Sequence, residues 1–257
     1  MAHGLARLKV CLNGGRGRHE HPGVPVSPDE LAASAVAAVA AGAEAVHLHA
    51  RAADGSESLH VADVAAAVWT VRSACPGLGI GVSTGIWMAG ADPAVRLDLV
   101  RPWSTMRPDA RPDFASVNVH EPGFAELTRS LVDLGIGVEA GVWSPRDAHR
   151  LASSGVASAP VRVLVEVVGA IRSMAVAAAD AILDRLDETG CRLPRLLHGE
   201  EAACWPLVGH AGRLGLPTRI GLEDTLVGPR GEPVAGNADL VRLALAAWQL
   251  GARRSGR

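Results

Sequence analysis

Residues 27–51 read SPDELAASAVAAVAAGAEAVHLHAR, and this stretch sets the pattern for the whole chain. Ser27 before Pro28, Asp29 and Glu30 is a helix start. It offers a capping hydroxyl, a proline where no amide hydrogen is needed, and a glutamate that returns the capping bond. Helical periodicity then runs over 28–42 and stops at Gly42. A short apolar strand, AVHLHA at 45–50, follows at once. Helix, glycine stop, strand is the joint of a repeating β/α unit.

The unit recurs on both sides. Strands are expected at 8–13, 45–50, 78–83, 114–119, 136–141, 161–168, 195–200 and 218–223. Helices are expected at 28–42, 59–75, 91–100, 122–134, 145–154, 170–187, 202–213 and 235–250. Eight such alternations match an α/β chain folded as a (β/α)8 TIM barrel, which takes about 250 residues. A doubly wound open sheet is the alternative. However, LNGGRGRHEHPG after the first strand runs into a long loop, whereas a phosphate loop leads straight into a helix. The reading is one barrel domain over 1–257, with its tail fraying after residue 251.

Composition narrows the function. With 25 Lys+Arg against 27 Asp+Glu, the net charge is −2. That balance argues against a nucleic-acid face and a polybasic membrane anchor. No apolar run reaches the ~18 residues of a transmembrane helix. MAHGLARLKV at the N-terminus lacks the apolar core of a signal peptide, so a cytoplasmic location is expected. Cys11, Cys75, Cys191 and Cys204 form no CxxC pair, which argues against a disulfide framework. Lys9 is the only lysine. A Schiff-base aldolase, a pyridoxal-phosphate enzyme or a carbamylated-lysine site would need it. It begins strand one, ~13 Å from Asn13 at ~3.3 Å per residue. Lys9 is therefore expected at the lower rim, solvated, with Lys9→Arg costing less than about 0.5 kcal/mol.

Barrel active sites lie at the C-terminal ends of the strands. Here those ends carry Asn13, His47, His49, Arg51, Ser83, Thr84, Asn118 and His120. Glu139, Glu166, His198, Glu200, Glu223 and Asp224 follow. Strands buried on both faces would otherwise end in apolar residues. His47 and His49 share a strand face and can converge on one ion. Alone, the pair reads equally well as two hydrogen-bonded strand histidines. Glu223, in Arg219-Ile220-Gly221-Leu222-Glu223-Asp224, changes the balance. Strand eight closes beside strand one, so Glu223 can approach both imidazoles, and Gly221 would leave room for a ligand. Two histidines and a glutamate with an open position suit one catalytic Zn2+ per chain. Arg219 with Asp224 is open to a second reading as an internal ion pair.

These blocks also carry a resemblance. LNGG, PVSPDEL, AGAEAVHLHARAADG, GVSTG, VNVH, VEAG and RIGLEDTLVGPRGEPVAGNADLV look like the beta-keto acid cleavage enzyme family, best known for cleaving 3-keto-5-aminohexanoate. The resemblance implies a barrel with zinc on His47, His49 and Glu223. It implies Asp224 as the base, Arg219 as the group that steers Asp224 and keeps it ionised, and Glu139 as a further catalytic residue. Ser83 matches a contact to the substrate carboxylate; Thr84, Asn13 and Arg51 are candidates to hold that carboxylate or support the ligands. The implied reaction joins a β-keto acid to acetyl-CoA and releases acetoacetate and a new acyl-CoA by a retro-Claisen step. The implied assembly is a homotetramer. Ala52 and Thr225 depart from the family pattern. Two rivals remain: another zinc-dependent barrel lyase or hydrolase, and a non-catalytic metabolite-binding barrel. An amidohydrolase would carry its HxH on strand one, whereas here it is on strand two. A non-catalytic barrel would be expected to lack its base.

Overall fold

The computed structural model describes residues 7–255. The eight strands and eight helices alternate as the periodicity predicts. They are β1 (Leu8–Cys11), α1 (Pro28–Ala40), β2 (Ala45–Leu48), α2 (Val61–Ala74), β3 (Gly79–Ser83), α3 (Pro93–Val100), β4 (Phe114–Asn118) and α4 (Phe124–Asp133). The second half holds β5 (Gly137–Val142), α5 (Pro145–Ser153), β6 (Arg162–Val167), α6 (Ala175–Glu188), β7 (Arg195–Gly199), α7 (Cys204–Leu214), β8 (Thr218–Ile220) and α8 (Asn237–Ser255). All pairings between these strands are parallel, in the order β7-β6-β5-β4-β3-β2-β1-β8. The ring is drawn together where Leu197 N donates to Pro217 O at 3.0 Å and Thr218 Oγ1 donates to Leu197 O at 2.7 Å. The result is a single (β/α)8 barrel. Helix α8 continues to Ser255, beyond the point where the tail was expected to fray. Residues 1–6 of the N-terminal stretch and residues 256–257 of the tail lie outside the described residues. No helix among the described residues is long and apolar enough to cross a membrane.

Local signals account for the helix starts. Ser27 accepts from Glu30 N, and Glu30 closes the capping box. Asp92 and Ser144 cap α3 and α5 by accepting from amides of the first turn, each followed by a proline. Most apolar burial lies between the strands and the helix ring, where Val46, Leu48, Val163, Val165 and Val167 pack.

Inside the barrel the filling is partly charged. Lys9 is fully buried, not solvated at the rim as its position in strand one suggested. Its Nζ donates to Glu139 Oε2 at 2.6 Å, and Arg162 Nε lies 3.2 Å from Glu139 Oε1. Both cations pack over the Phe114 ring, at 5.5 and 5.8 Å from its centroid. Strand parity turns Lys9 inward, and the carboxylate that neutralises it comes from β5 across the barrel. Removing Lys9 would leave Glu139 Oε2 buried without its hydrogen-bond donor and Arg162 as the remaining cation on that carboxylate. Lys9→Met should therefore destabilise the fold by about 3 kcal/mol or more in urea unfolding; a change below about 0.5 kcal/mol would restore the solvated reading.

Candidate active site

Three of the expected strands, β1, β2 and β8, end two or more residues early, and the residues just beyond them build the site. β2 stops at Leu48. Asn13 then takes over the ladder: His49 N donates to Asn13 Oδ1, and Asn13 Nδ2 donates to His49 O, both at 2.9 Å. Strand eight was expected to run to 223 but stops at Ile220. Asp224 N and Thr225 N both bond Gly221 O, so Glu223 and Asp224 sit in a turn. Gly221 serves this turn rather than leaving space for a ligand. A Cβ there would lie 1.7 Å from Cys11 O. Gly14, at φ +56°, lies against Glu223, where a Cβ would meet Cγ at 2.5 Å.

His47 Nε2 and His49 Nε2 lie 3.8 and 3.7 Å from Glu223 Oε2. The donor atoms of the three residues all fall within 4.8 Å of one another. Two ligands of one tetrahedral zinc sit about 3.4 Å apart, so small side-chain adjustments would close this set on an ion. Glu223 Oε2 is buried and has no hydrogen-bond partner, as an atom held for a cation would. Burial holds His47 well below the ordinary imidazole value, which leaves it neutral. Burial also pulls His49 down, but Glu223 and Glu57 reverse this and raise it to about 9. Burial would raise Glu223; Arg219 and the two imidazoles instead hold it well below the usual carboxylate range.

Arg219 organises the two carboxylates. Its Nη2 donates to Glu223 Oε1 at 2.9 Å and to Asp224 Oδ1 at 2.7 Å, and its Nε donates to Asp224 Oδ1 at 3.0 Å. One oxygen of each carboxylate is thereby held, and Asp224 Oδ2 is left buried without a partner. The expectation that Arg219 keeps Asp224 ionised needs correcting. Burial, reinforced by Glu223 and Glu200, outweighs Arg219 and pushes Asp224 up to about 8.

A cavity of about 390 Å³ opens over this cluster. His47, His49, Glu223, Arg219 and Ser83 line it, together with Glu166, Glu200, Asn118, Trp87 and Trp143. Burial raises Glu166 and lifts Glu200 to about 7. From the first loop come Gly14, Gly15, Arg16 and Glu20. Arg16 is tied down by Glu20, Glu201 and the Glu223 carbonyl. Arg18 pairs with Glu30, and His21 bonds Val234 O at 3.0 Å.

Four of the expected site residues are placed elsewhere. Asn13 is the backbone clamp described above. Thr84 is fully buried and donates to Ser116 O at 2.6 Å. Arg51 Nη2 donates to the carbonyls of Gly14 and Arg16, fixing the first loop. Glu139 lies with Lys9 and Arg162 beneath the cavity. Glu57, which sequence reasoning passed over, is at the site: His49 Nδ1 meets its Oε1 at 2.5 Å, and Trp87 Nε1 donates to its Oε2 at 3.0 Å. Asp54-Gly55 was the available signal, a turn pair able to fold the chain back on Arg51.

Comparison with known proteins adds an independent line. The fold is shared with solved structures of ObcA. The binary complex with oxaloacetate is 18% identical, with a TM-score of 0.70 over 91% of this chain and 65% of that one. The ternary complex with a C4-CoA adduct and oxalate is 19% identical, with a TM-score of 0.71 over the same shares. The chain thus spans 65% of the length of ObcA, less than two thirds of it. The 3-dehydroquinate dehydratase of Geobacillus kaustophilus matches at 11% identity and TM-score 0.61, over 95% of this chain and 91% of that one. The family model for beta-keto acid cleavage enzyme matches residues 6–253, nearly the whole chain. With its HxH histidines, Arg219 and Glu223 lining one cavity and Asp224 buried against Arg219, the chain belongs to the beta-keto acid cleavage enzyme family.

Proposed function

We propose that the protein is a zinc-dependent acyltransferase that cleaves a β-keto acid with acetyl-CoA. The observation that carries this reading is the convergence of His47, His49 and the unpartnered Glu223 Oε2 beside Arg219 and Asp224. ObcA, with its oxaloacetate and C4-CoA complexes, supports keto-acid and CoA chemistry on this fold. His47, His49 and Glu223 would hold one zinc ion per chain, which when bound supplies a Lewis acid toward the keto and carboxylate oxygens. In its ionised form, which gains as the pH rises through about 8, Asp224 removes the proton between the two carbonyl carbons through Oδ2, while Arg219 holds Oδ1. Ser83 receives the substrate carboxylate. The enolate carbon attacks the acetyl thioester carbon, whose C–S bond breaks and releases CoA thiolate. The thiolate adds to the original keto carbon, the bond from that carbon to the former enolate carbon breaks, and the departing acetoacetate carbanion takes the proton back from Asp224. The products are acetoacetate and the new acyl-CoA. Glu139 enters as support for the floor under the site.

Glu200 is the second candidate for the base. It lines the cavity, it lies 3.8 Å from Arg219 Nη2, and burial raises it to about 7. The cavity also bears on substrate choice. Both arginines lining it are already paired with carboxylates, while Glu166 and Glu200 face it. A second carboxylate on the substrate would find both lining arginines already paired and glutamates facing it. The same reading expects a homotetramer, checked by light scattering. It also expects a cytoplasmic enzyme whose cysteines, free in the structure, stay reduced.

The purified protein should contain about one zinc per chain by elemental analysis, and His47→Ala or His49→Ala should lose it. A metal-free wild type with full activity would overturn the assignment. Asp224→Asn should lower kcat by at least about 100-fold and leave zinc in place. Should Glu200→Gln show that loss instead, with Asp224→Asn near wild type, the base is Glu200. In a panel of β-keto acids with acetyl-CoA, mass spectrometry should detect acetoacetate from acids with neutral or amino side chains well before dicarboxylic ones. A preference for dicarboxylic acids would contradict the charge argument.

A further inference from the structure

The geometry points to Glu57 as a positioning residue that orients the ligand His49 and the cavity wall Trp87 at once. This inference rests on the metal reading above. Glu57 comes from a hairpin between β2 and α2. Ala52 N bonds Ser56 O, Ser58 N bonds Ala50 O, and Gly55 at φ +85° makes the reversal. An antiparallel bridge pairs Arg51 with Glu57. The carboxylate that the hairpin delivers is 16% exposed and has two oxygens with two different tasks. Oε1 receives His49 Nδ1 at 2.5 Å. Oε2 receives Trp87 Nε1 at 3.0 Å. The Trp87 indole lies nearly parallel to the His49 ring, 25° apart with centroids at 6.3 Å.

The donor and acceptor inventory explains why an acid is needed. A cation that displaced the Nε2 proton of His49 would leave the remaining proton on Nδ1, held by Glu57, and the Nε2 lone pair facing Glu223, the form that binds a cation. Trp87 is a donor only. The two donors sit at different oxygens of one side chain, and a carboxylate has an acceptor at both positions. A glutamine has one, so one donor must lose its partner. Ligand orientation and the placement of the indole wall are thereby coupled through a residue that touches neither ion nor substrate.

The test is zinc binding to the stripped full-length protein, titrated with Zn2+ against a chromogenic chelator, alongside steady-state KM and kcat. Glu57→Gln should fold normally by circular dichroism and bind zinc about 10–100-fold more weakly. Its KM for the keto acid should rise as well. Trp87→Phe, which removes only the indole arm, should keep wild-type zinc affinity and raise KM alone. If Glu57→Gln binds zinc as tightly as wild type, the inference is overturned and the metal reading stands. If wild type itself binds no zinc, the metal reading falls and this inference with it.

Discussion

A single guanidinium sets the chemistry of this cavity. Arg219 bonds one oxygen of Glu223 and one of Asp224, two consecutive carboxylates that would otherwise repel each other in a buried turn. The other two oxygens, Glu223 Oε2 and Asp224 Oδ2, are buried and unpartnered. One of these faces two imidazole nitrogens. In the proposed function the other is the proton acceptor. Adjacent residues of the same charge type thus take different tasks because one cation fixes which oxygen each can use.

The rest of the barrel supports that arrangement. The turn carrying both carboxylates exists because Gly221 lets β8 pass close to the Cys11 carbonyl. Gly14 seats the first loop on Glu223, and Arg51 holds that loop by its carbonyls. Beneath the cavity, Lys9, Glu139 and Arg162 form an ion-paired floor around Phe114. Above it, Glu166, Glu200 and Glu223 line the cavity; burial raises the first two, while Arg219 and the imidazoles keep Glu223 ionised.

Much of this was legible in the chain because its signals are local. The eight β/α units follow from periodicity, caps and stops, and His47, His49 and Glu223 follow from type and spacing. What was not legible depends on contacts between distant segments. Lys9 reads as a solvated strand start until Glu139, on the opposite side of the barrel, is seen to neutralise it. Asn13, Thr84 and Arg51 have the residue types of ligand contacts, yet they satisfy backbone groups just past strand ends, where the ladder has stopped. The pKa of Asp224 escaped the reading because a sequence shows its neighbour Arg219 but not its burial. Glu57 escaped because its role is set by a hairpin that returns it to His49.

The central claim is that His47, His49 and Glu223 form one metal site. X-ray absorption at the zinc edge of the purified protein tests it directly. The account predicts a shell of imidazole nitrogen and carboxylate oxygen at about 2.0–2.2 Å with no sulfur. A zinc–sulfur distance near 2.3 Å would move the ion to a cysteine and contradict it.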